Sequence, residues 1–247
     1  MIERTITAAT HGRYLVAPAA DAAPLLVAFH GYAESAEAAL DRLRAIPGAD
    51  RWTSVAIQAL NRFYQRRTNE VIAGWMTRQD RELAIADNIA YVAGVLDAVS
   101  REWPTTPYVV FSGFSQGVAM AFRAAAAATA RAVGGVFAAG GDIPPEIPLE
   151  QLASLGAVVL CRGTRDEWYS AEKFSADRQR MEEAARLKPR APVGPRAPGE
   201  PRAPGEPRAA VGPRAAVVVT AVEFDGGHEW SADVVAAASR FLADRRR

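Results

Sequence analysis

The chain has 247 residues, 49% of them hydrophobic, and its 29 basic and 28 acidic side chains give a formal net charge of +1. This balance lacks the basic excess of a nucleic-acid-binding protein, and the hydrophobic content is sufficient to bury a sizeable core. The single cysteine, Cys161, excludes an intrachain disulfide and favours a reducing compartment.

The N-terminal segment gives a first expectation about location. Its first 18 residues lack the charged start and apolar run of a secretory signal. We find no uninterrupted apolar stretch of the roughly 20 residues that a membrane helix needs. We therefore expect a cytoplasmic protein without a membrane span.

Short apolar runs alternate with longer helical patterns along the chain. Residues 2–8 and 13–17 resemble two strands around a His11-Gly12 turn, which predicts an antiparallel N-terminal hairpin. Residues 60–80 show no strong period. The other predicted strands are 25–29, 54–57, 108–112, 133–138, 157–161 and 216–224. The predicted helices are 35–46, 81–102, 116–131, 169–187 and 231–245.

This alternation of strands and helices predicts an α/β fold. Continuous apolar strands such as 25–29 are typical of a sheet buried on both faces. The sheet should be mainly parallel, with helices on both faces and right-handed crossovers. In such sheets, functional sites form at the carboxyl ends of the strands.

One segment departs from the pattern. From Pro189 the sequence repeats every 6 residues, with Pro or Gly in nearly every unit, which excludes a helix or a central strand. We interpret about 188–214 as a flexible insert in a single domain that spans 1–247. The alternatives are a docking motif of the PxxP type and a lid over the site.

The strongest chemical signal is the G-x-S-x-G motif at 113–117, which follows a predicted strand and precedes a predicted helix. In this context the serine, Ser115, sits on a sharp turn and is presented as a nucleophile. Gly113 and Gly117 would avoid collisions across that turn. The alternative is a Gly/Ser loop in which Ser115 merely caps the helix.

A serine nucleophile needs a base, and a third group must orient that base. The triad of this motif runs Ser, acid, His along the chain, and among the histidines at 11, 30 and 228 only His228 follows Ser115. We choose Asp166 as the acid because it directly follows the strand 157–161. Asp142 is the alternative acid, while Glu167 and Asp225 are interpreted as ordinary loop carboxylates.

An oxyanion hole requires two backbone N–H groups. We assign them to Gln116, which follows the nucleophile, and Tyr32, in the loop after strand 25–29. His30 is interpreted as a brace for this loop. Trp75 and Trp168 are candidate substrate-pocket residues, with core packing as the alternative for both.

These motifs resemble the phospholipase/carboxylesterase family, which includes the acyl-protein thioesterases. The resemblance rests on residues 30–32, 113–117, 163–166 and 226–228 and spans roughly 24–187 and 215–245. It implies a compact α/β-hydrolase without a large cap domain and supports the same triad and oxyanion donors. The chain departs from the family pattern at Val118 and at 167–169.

We therefore expect a serine esterase that cleaves a small ester or thioester through an acyl-enzyme on Ser115, without a metal or organic cofactor. A peptidase using the same triad is the alternative enzyme. A non-catalytic binding protein on this fold and a scaffold acting through the repeat are alternatives from other classes. The oligomeric state stays open.

Overall fold

The computed structural model describes residues 1–187 and 216–245. The strands are β1 Arg13–Ala17, β2 Ala23–Phe29, β3 Thr53–Gln58, β4 Asn61–Tyr64, β5 Val71–Gly74, β6 Thr105–Phe114, β7 Ala132–Ala139, β8 Ala157–Gly163 and β9 Val218–Phe224. The helices are α1 Ala36–Arg44, α2 Arg81–Glu102, α3 Gln116–Ala127, α4 Leu149–Leu152, α5 Ala171–Arg186 and α6 Ala232–Asp244. A 3₁₀ turn covers Ala49–Arg51.

Seven of the strands form one sheet in the order β1-β3-β2-β6-β7-β8-β9. All neighbouring pairs are parallel except β1 with β3. Phe29 of β2 is level with Gly113 of β6, which is level with Ala138 of β7. The carboxyl ends of the central strands therefore meet at one edge, as the α/β prediction requires.

Each face of the sheet is covered by helices, because successive side chains of a strand point to opposite faces. Leu25, Val27 and Phe29 join a core with side chains of α2, α3 and α5. Leu26 and Ala28 join a second core with side chains of α1 and α6. The continuous apolar run of β2 is explained by this double burial.

The N-terminal part of the prediction needs a correction. Residues 2–8 are exposed and form no strand, and β1 instead pairs antiparallel with β3, with Arg13 opposite Gln58. The antiparallel strand is thus confirmed, but its partner lies about 40 residues further along the chain. The turn-like residues His11-Gly12 predicted that β1 pairs with the segment just before it, whereas β1 pairs with β3, which is distant in the sequence.

A hairpin that the sequence did not predict lies between β3 and α2. β4 and β5 pair with each other in a two-stranded sheet, and Ala73 of β5 also bridges to Glu34. All four residues of Asn61–Tyr64 are exposed. A strand that buries neither face shows no alternation of apolar and polar residues. The residue pattern of 60–80 therefore did not predict β4.

The hexapeptide repeat at 188–214 lies outside the described residues. The single-domain interpretation, which includes this insert, stays a prediction.

Among the described residues, one helix, α2, is long and apolar enough to cross a membrane by length and composition. The sequence had not indicated it as a membrane helix, because polar residues interrupt its apolar ones. Its side chains Val92, Val95 and Val99 are buried in the core of this fold.

A buried carboxylate on α5 connects two loops at the carboxyl edge of the sheet. Asp177 Oδ2 accepts hydrogen bonds from the Tyr169 hydroxyl at 2.9 Å and from Ile143 N at 3.0 Å. Burial raises the pKa of Asp177 from 3.8 to about 6, against the hydrogen bonds of Ile143 and Tyr169 and the charge of Arg180, while Asp142 adds to the increase.

This raised pKa predicts a pH-dependent loss of stability. A carboxyl group that binds its proton more tightly in the folded state stabilises the fold below its unfolded pKa and loses that contribution as pH rises through the folded value. Relative to Asp177→Asn, the free energy of unfolding of the parent protein should fall by up to about 3 kcal/mol between pH 4 and 7. Urea unfolding of both proteins across this range measures the difference, and parallel curves would contradict the prediction.

Candidate active site

Four loops meet at the carboxyl edge of the sheet, each extending from a different strand. They follow β2 at His30, β6 at Ser115, β8 at Thr164 and β9 at Asp225. Because these strands are parallel and adjacent or nearly so, the loops lie close together. The residues assigned from the sequence as nucleophile, acid, base and oxyanion donors all lie on these loops or at the first residue of α3.

The turn at Ser115 is sharp and strained. Ser115 has φ 53° and ψ −124°, a backbone conformation that costs a non-glycine residue about 1–3 kcal/mol. A Cβ on Gly113 would lie 2.6 Å from the carbonyl oxygen of Gly117, and a Cβ on Gly117 would lie 2.6 Å from the carbonyl oxygen of His30. Both glycines of the motif are therefore needed for steric reasons.

The Ser115 side chain does not cap its helix. The hydroxyls of Ser35, Ser170 and Ser231 accept the amide hydrogen bond that caps α1, α5 and α6, whereas Ser115 makes no such bond to α3. The capping interpretation of Ser115 is thus wrong. Its backbone N–H donates to Ala139 O at 2.9 Å and fixes the turn to β7.

Asp166 and His228 form a hydrogen-bonded pair. Nδ1 of His228 lies 2.9 Å from Oδ2 of Asp166, a buried carboxylate that is 4% exposed. Oδ1 of Asp166 accepts hydrogen bonds from the backbone N–H groups of Trp168 and Tyr169, both at 2.9 Å. Since the carboxylate can only accept, it selects the imidazole tautomer with the proton on Nδ1, which leaves Nε2 as the basic nitrogen.

The other carboxylates considered from the sequence do not reach this histidine. Asp142 and Glu167 are exposed, and Asp225 forms an ion pair with Arg165. In the part of the chain that the structure describes, Asp166 is the only one of the four that hydrogen-bonds to His228.

The His228 ring lies beside the turn that carries Ser115. Its ring centroid is 5.1 Å from that of Phe114, the residue before Ser115. A Cβ on Gly140 would lie 3.1 Å from Cε1 of His228, and a Cβ on Gly141 would collide with the carbonyl oxygen of Ser115. His228 and Ser115 therefore contact the same two-glycine segment. Among the described residues, no hydrogen bond joins their side chains directly.

Buried Arg162 holds in place the loop that carries Asp166. It donates to the carbonyl oxygen of Tyr169 at 2.8 Å and to that of Thr164 at 3.1 Å, and it forms an ion pair with Glu223 at 2.9 Å. The carbonyls on both sides of Asp166 are thus bound by one guanidinium. The sequence analysis missed this residue, although an arginine inside an apolar strand is itself a signal of a buried polar contact.

The proposed oxyanion donors have unpaired backbone N–H groups. Within residues 1–187 and 216–245, neither the amide of Tyr32 nor that of Gln116 has a hydrogen-bond partner. A Cβ on Gly31 would lie 3.2 Å from Cβ of Ser115, so the loop backbone runs next to the serine side chain. The Gln116 side chain accepts from Trp75 N at 2.8 Å and donates to Met76 O at 3.3 Å.

His30 is fully buried and both of its ring nitrogens are used. Nε2 accepts from Ala59 N at 3.0 Å, so Nδ1 carries the proton and donates to Gly31 O at 2.7 Å. Burial lowers the pKa of His30 and favours the neutral ring. This geometry agrees with a bracing role for His30.

The two tryptophans considered for the substrate pocket lie in different environments. Trp75 is 0% exposed, contacts the rings of Phe29 and His30, and donates from Nε1 to His30 O at 2.8 Å. Trp75 therefore packs in the core beneath the loop of Tyr32, and its assignment as a pocket wall is corrected. Trp168 is 75% exposed beside Asp166, and its pocket role stays a prediction.

Comparison with known proteins identifies the family and the fold of the chain. A family model described as phospholipase/carboxylesterase matches residues 11–182, while no curated protein sequence matches the chain. The chain is similar to a carboxylesterase structure from Mesorhizobium loti at 16% identity and a TM-score of 0.65, covering 94% of each chain. It is also similar to Zea mays acyl-protein thioesterase 2 at 13% identity and a TM-score of 0.63, covering 95% of this chain and 99% of that chain. The structural likenesses show the fold, and the family model shows that the chain belongs to the phospholipase/carboxylesterase family of α/β-hydrolases.

Proposed function

We propose that this chain is a serine hydrolase that cleaves small carboxylic esters or thioesters through an acyl-enzyme on Ser115. The observation that carries the proposal is the 2.9 Å hydrogen bond between His228 Nδ1 and Asp166 Oδ2 beside the strained turn of Ser115. Family membership supports hydrolysis of this type. The sequence motifs suggested the catalytic role of each residue, and the geometry supports these roles.

In the proposed mechanism, Nε2 of His228 removes the proton from Oγ of Ser115 as that oxygen attacks the substrate carbonyl. The negative charge that develops on the carbonyl oxygen is stabilised by the amides of Tyr32 and Gln116, which have no other partner among the described residues. His228 then donates its proton to the leaving alcohol or thiol. Water activated by the same nitrogen releases the acid.

Asp166 orients His228 and stabilises the imidazolium that forms during each step. Its second oxygen is bound by two backbone amides, which holds the carboxylate in one orientation. Because Asp166 is buried, its charge is poorly screened by solvent and interacts strongly with the imidazolium.

Two aromatic rings beside the proposed site suggest which part of a substrate they would contact. The rings of Tyr32 and Phe63 lie 5.6 Å apart and are 61% and 37% exposed, next to the proposed oxyanion loop. Such an apolar surface suits the hydrocarbon part of a small ester or thioester.

The only cysteine of the chain, Cys161, is buried, and burial raises its pKa to about 12. This fits an inert thiol and a proposed cytoplasmic location.

Replacement of the proposed nucleophile tests the assignment. Ser115→Ala should abolish labelling by a fluorophosphonate probe and lower the hydrolysis of a chromogenic short-chain ester by at least about 10³-fold, because no oxygen remains to form the acyl-enzyme. Gel fluorescence and initial rates measure the two effects.

The control for this experiment is Ser239→Ala, which removes the hydroxyl of a half-buried serine that donates to Pro47 O at 3.1 Å. Its labelling should equal that of the parent protein. Persistent labelling of Ser115→Ala would mean that another serine is the nucleophile. Absence of labelling and of esterase activity in the parent protein would favour a non-catalytic binding protein.

A second experiment tests the acid. Asp166→Asn should lower kcat by about 10³–10⁴-fold, because an amide at this position no longer selects the imidazole tautomer that leaves Nε2 basic. Asp142→Asn, the matched change at the alternative acid, should stay within about threefold of the parent, since Asp142 is exposed and surface changes have small effects. Steady-state kinetics on the same ester separate the two, and the reverse ranking would overturn the assignment of Asp166.

A further inference from the structure

A single arginine on α1 contacts both the oxyanion loop and the histidine loop. Arg42 forms two hydrogen bonds with Glu34, from Nη1 to Oε2 at 2.7 Å and from Nη2 to Oε1 at 2.5 Å. The two side chains are only 20% and 24% exposed. Two parallel hydrogen bonds between a guanidinium and a carboxylate fix the relative orientation of both groups.

The same carboxylate binds the oxyanion loop. Oε2 of Glu34 accepts the backbone N–H of Gly31 at 2.7 Å, so this amide is occupied while the next one, Tyr32, remains without a partner among the described residues. Although burial acts to raise it, the hydrogen bond and charge of Arg42 keep the pKa of Glu34 below its usual value. Glu34 therefore remains an acceptor at neutral pH.

The backbone of Glu34 is also held. Its carbonyl oxygen accepts from Ala73 N at 2.8 Å, and Ala33 N donates to Ala73 O at 2.9 Å. These two hydrogen bonds join the loop to β5. Because the Glu34 backbone is held there, a displacement of the Glu34 side chain would displace Gly31.

The Arg42 guanidinium also lies over aromatic rings near His228. Its Cζ lies 4.2 Å from the centroid of Phe114 and 5.9 Å from that of Trp230. Phe114 precedes the nucleophile and packs against the His228 ring at 5.1 Å, while Trp230 lies 6.2 Å from Phe114. A cation above a ring face is attracted by the ring quadrupole, and more strongly when it is partly desolvated.

We propose that Arg42 is a positioning residue that sets the oxyanion loop, through Glu34, against the nucleophile turn and the histidine loop, through Phe114 and Trp230. This inference rests on the proposed function, because it assigns Arg42 a role in the reaction of that same site. The planar guanidinium can bind a carboxylate with its edge and stack on a ring with its face at the same time. An ammonium cannot do both.

The experiment compares Arg42→Met and Arg42→Lys with a control at Arg13, a residue of β1 that pairs with the same helix. Arg13 forms a similar two-bond ion pair with Glu37 of α1 at 2.5 and 3.1 Å, but it contacts neither active-site loop. Arg13→Met therefore removes an ion pair to α1 without disturbing the proposed connection. Kinetics on the chromogenic ester are normalised to the number of sites that fluorophosphonate labels at completion, so that misfolded protein does not enter kcat.

For Arg42→Met we expect kcat per labelled site to fall about 10–100-fold with KM within about twofold, because displacement of an oxyanion donor affects the transition state more than the bound ester. Arg42→Lys should recover part of the loss, and Arg13→Met should stay within about twofold of the parent. A merely structural role would lower the number of labelled sites and leave kcat per site unchanged.

Glu34→Gln keeps the proposal testable if Arg42→Met does not fold. It retains an acceptor for Gly31 and the stacking of Arg42, and it removes the charge that pairs with Arg42. We expect kcat per site to fall about 3–10-fold, as for the loss of one charge-assisted hydrogen bond. Unchanged kcat per site in Glu34→Gln or in folded Arg42→Met would overturn the positioning role, whereas a parent protein without labelling or activity would overturn the proposed function itself.

Discussion

The arrangement of the site depends on one close contact between backbones. The Cα of Gly117 lies so near the end of β2 that a methyl group there would collide with the carbonyl oxygens of Phe29 and His30. Only a glycine lets the first turn of α3 lie directly on the loop that follows β2. This contact brings the amide of Gln116, the side chain of Ser115 and the loop of Tyr32 to one point at the edge of the sheet.

Polar side chains then hold each loop around that point. A loop at the edge of a sheet leaves backbone groups without ladder partners, and buried groups of this kind need hydrogen bonds from elsewhere. Arg162 binds the carbonyls on either side of Asp166, His30 and Trp75 bind the loop of Tyr32 from below, and Glu34 binds that loop from the side. The rigidity that a preorganised site needs therefore comes from side chains that take no part in the proposed reaction.

The sequence predicted the parallel sheet well, because strands buried on both faces are continuous apolar runs that need no knowledge of their neighbours. It also singled out Ser115 and His228 as the proposed nucleophile and base, through a steric motif and through chain order, and it ranked Asp166 above Asp142 as the proposed acid. Prediction from the sequence failed where a strand pairs with a distant segment, and where an exposed strand has no alternation of apolar and polar residues. Residues 2–8 have no strand partner in the described structure, strand β4 of the hairpin is exposed, and Trp75 proved to be a core residue.

By itself, the sequence determined the alternation of strands and helices, the glycines of the Ser115 turn and membership of a hydrolase family, because each is encoded within a few neighbouring residues. Only the tertiary structure decided that β1 pairs with β3, that Asp166 is the carboxylate bonded to His228, and that Arg42 lies between the two loops. Asp166 and His228 are 62 residues apart in the chain. A contact over such a separation is set by the order and direction of the strands that carry the two residues, which no local pattern records.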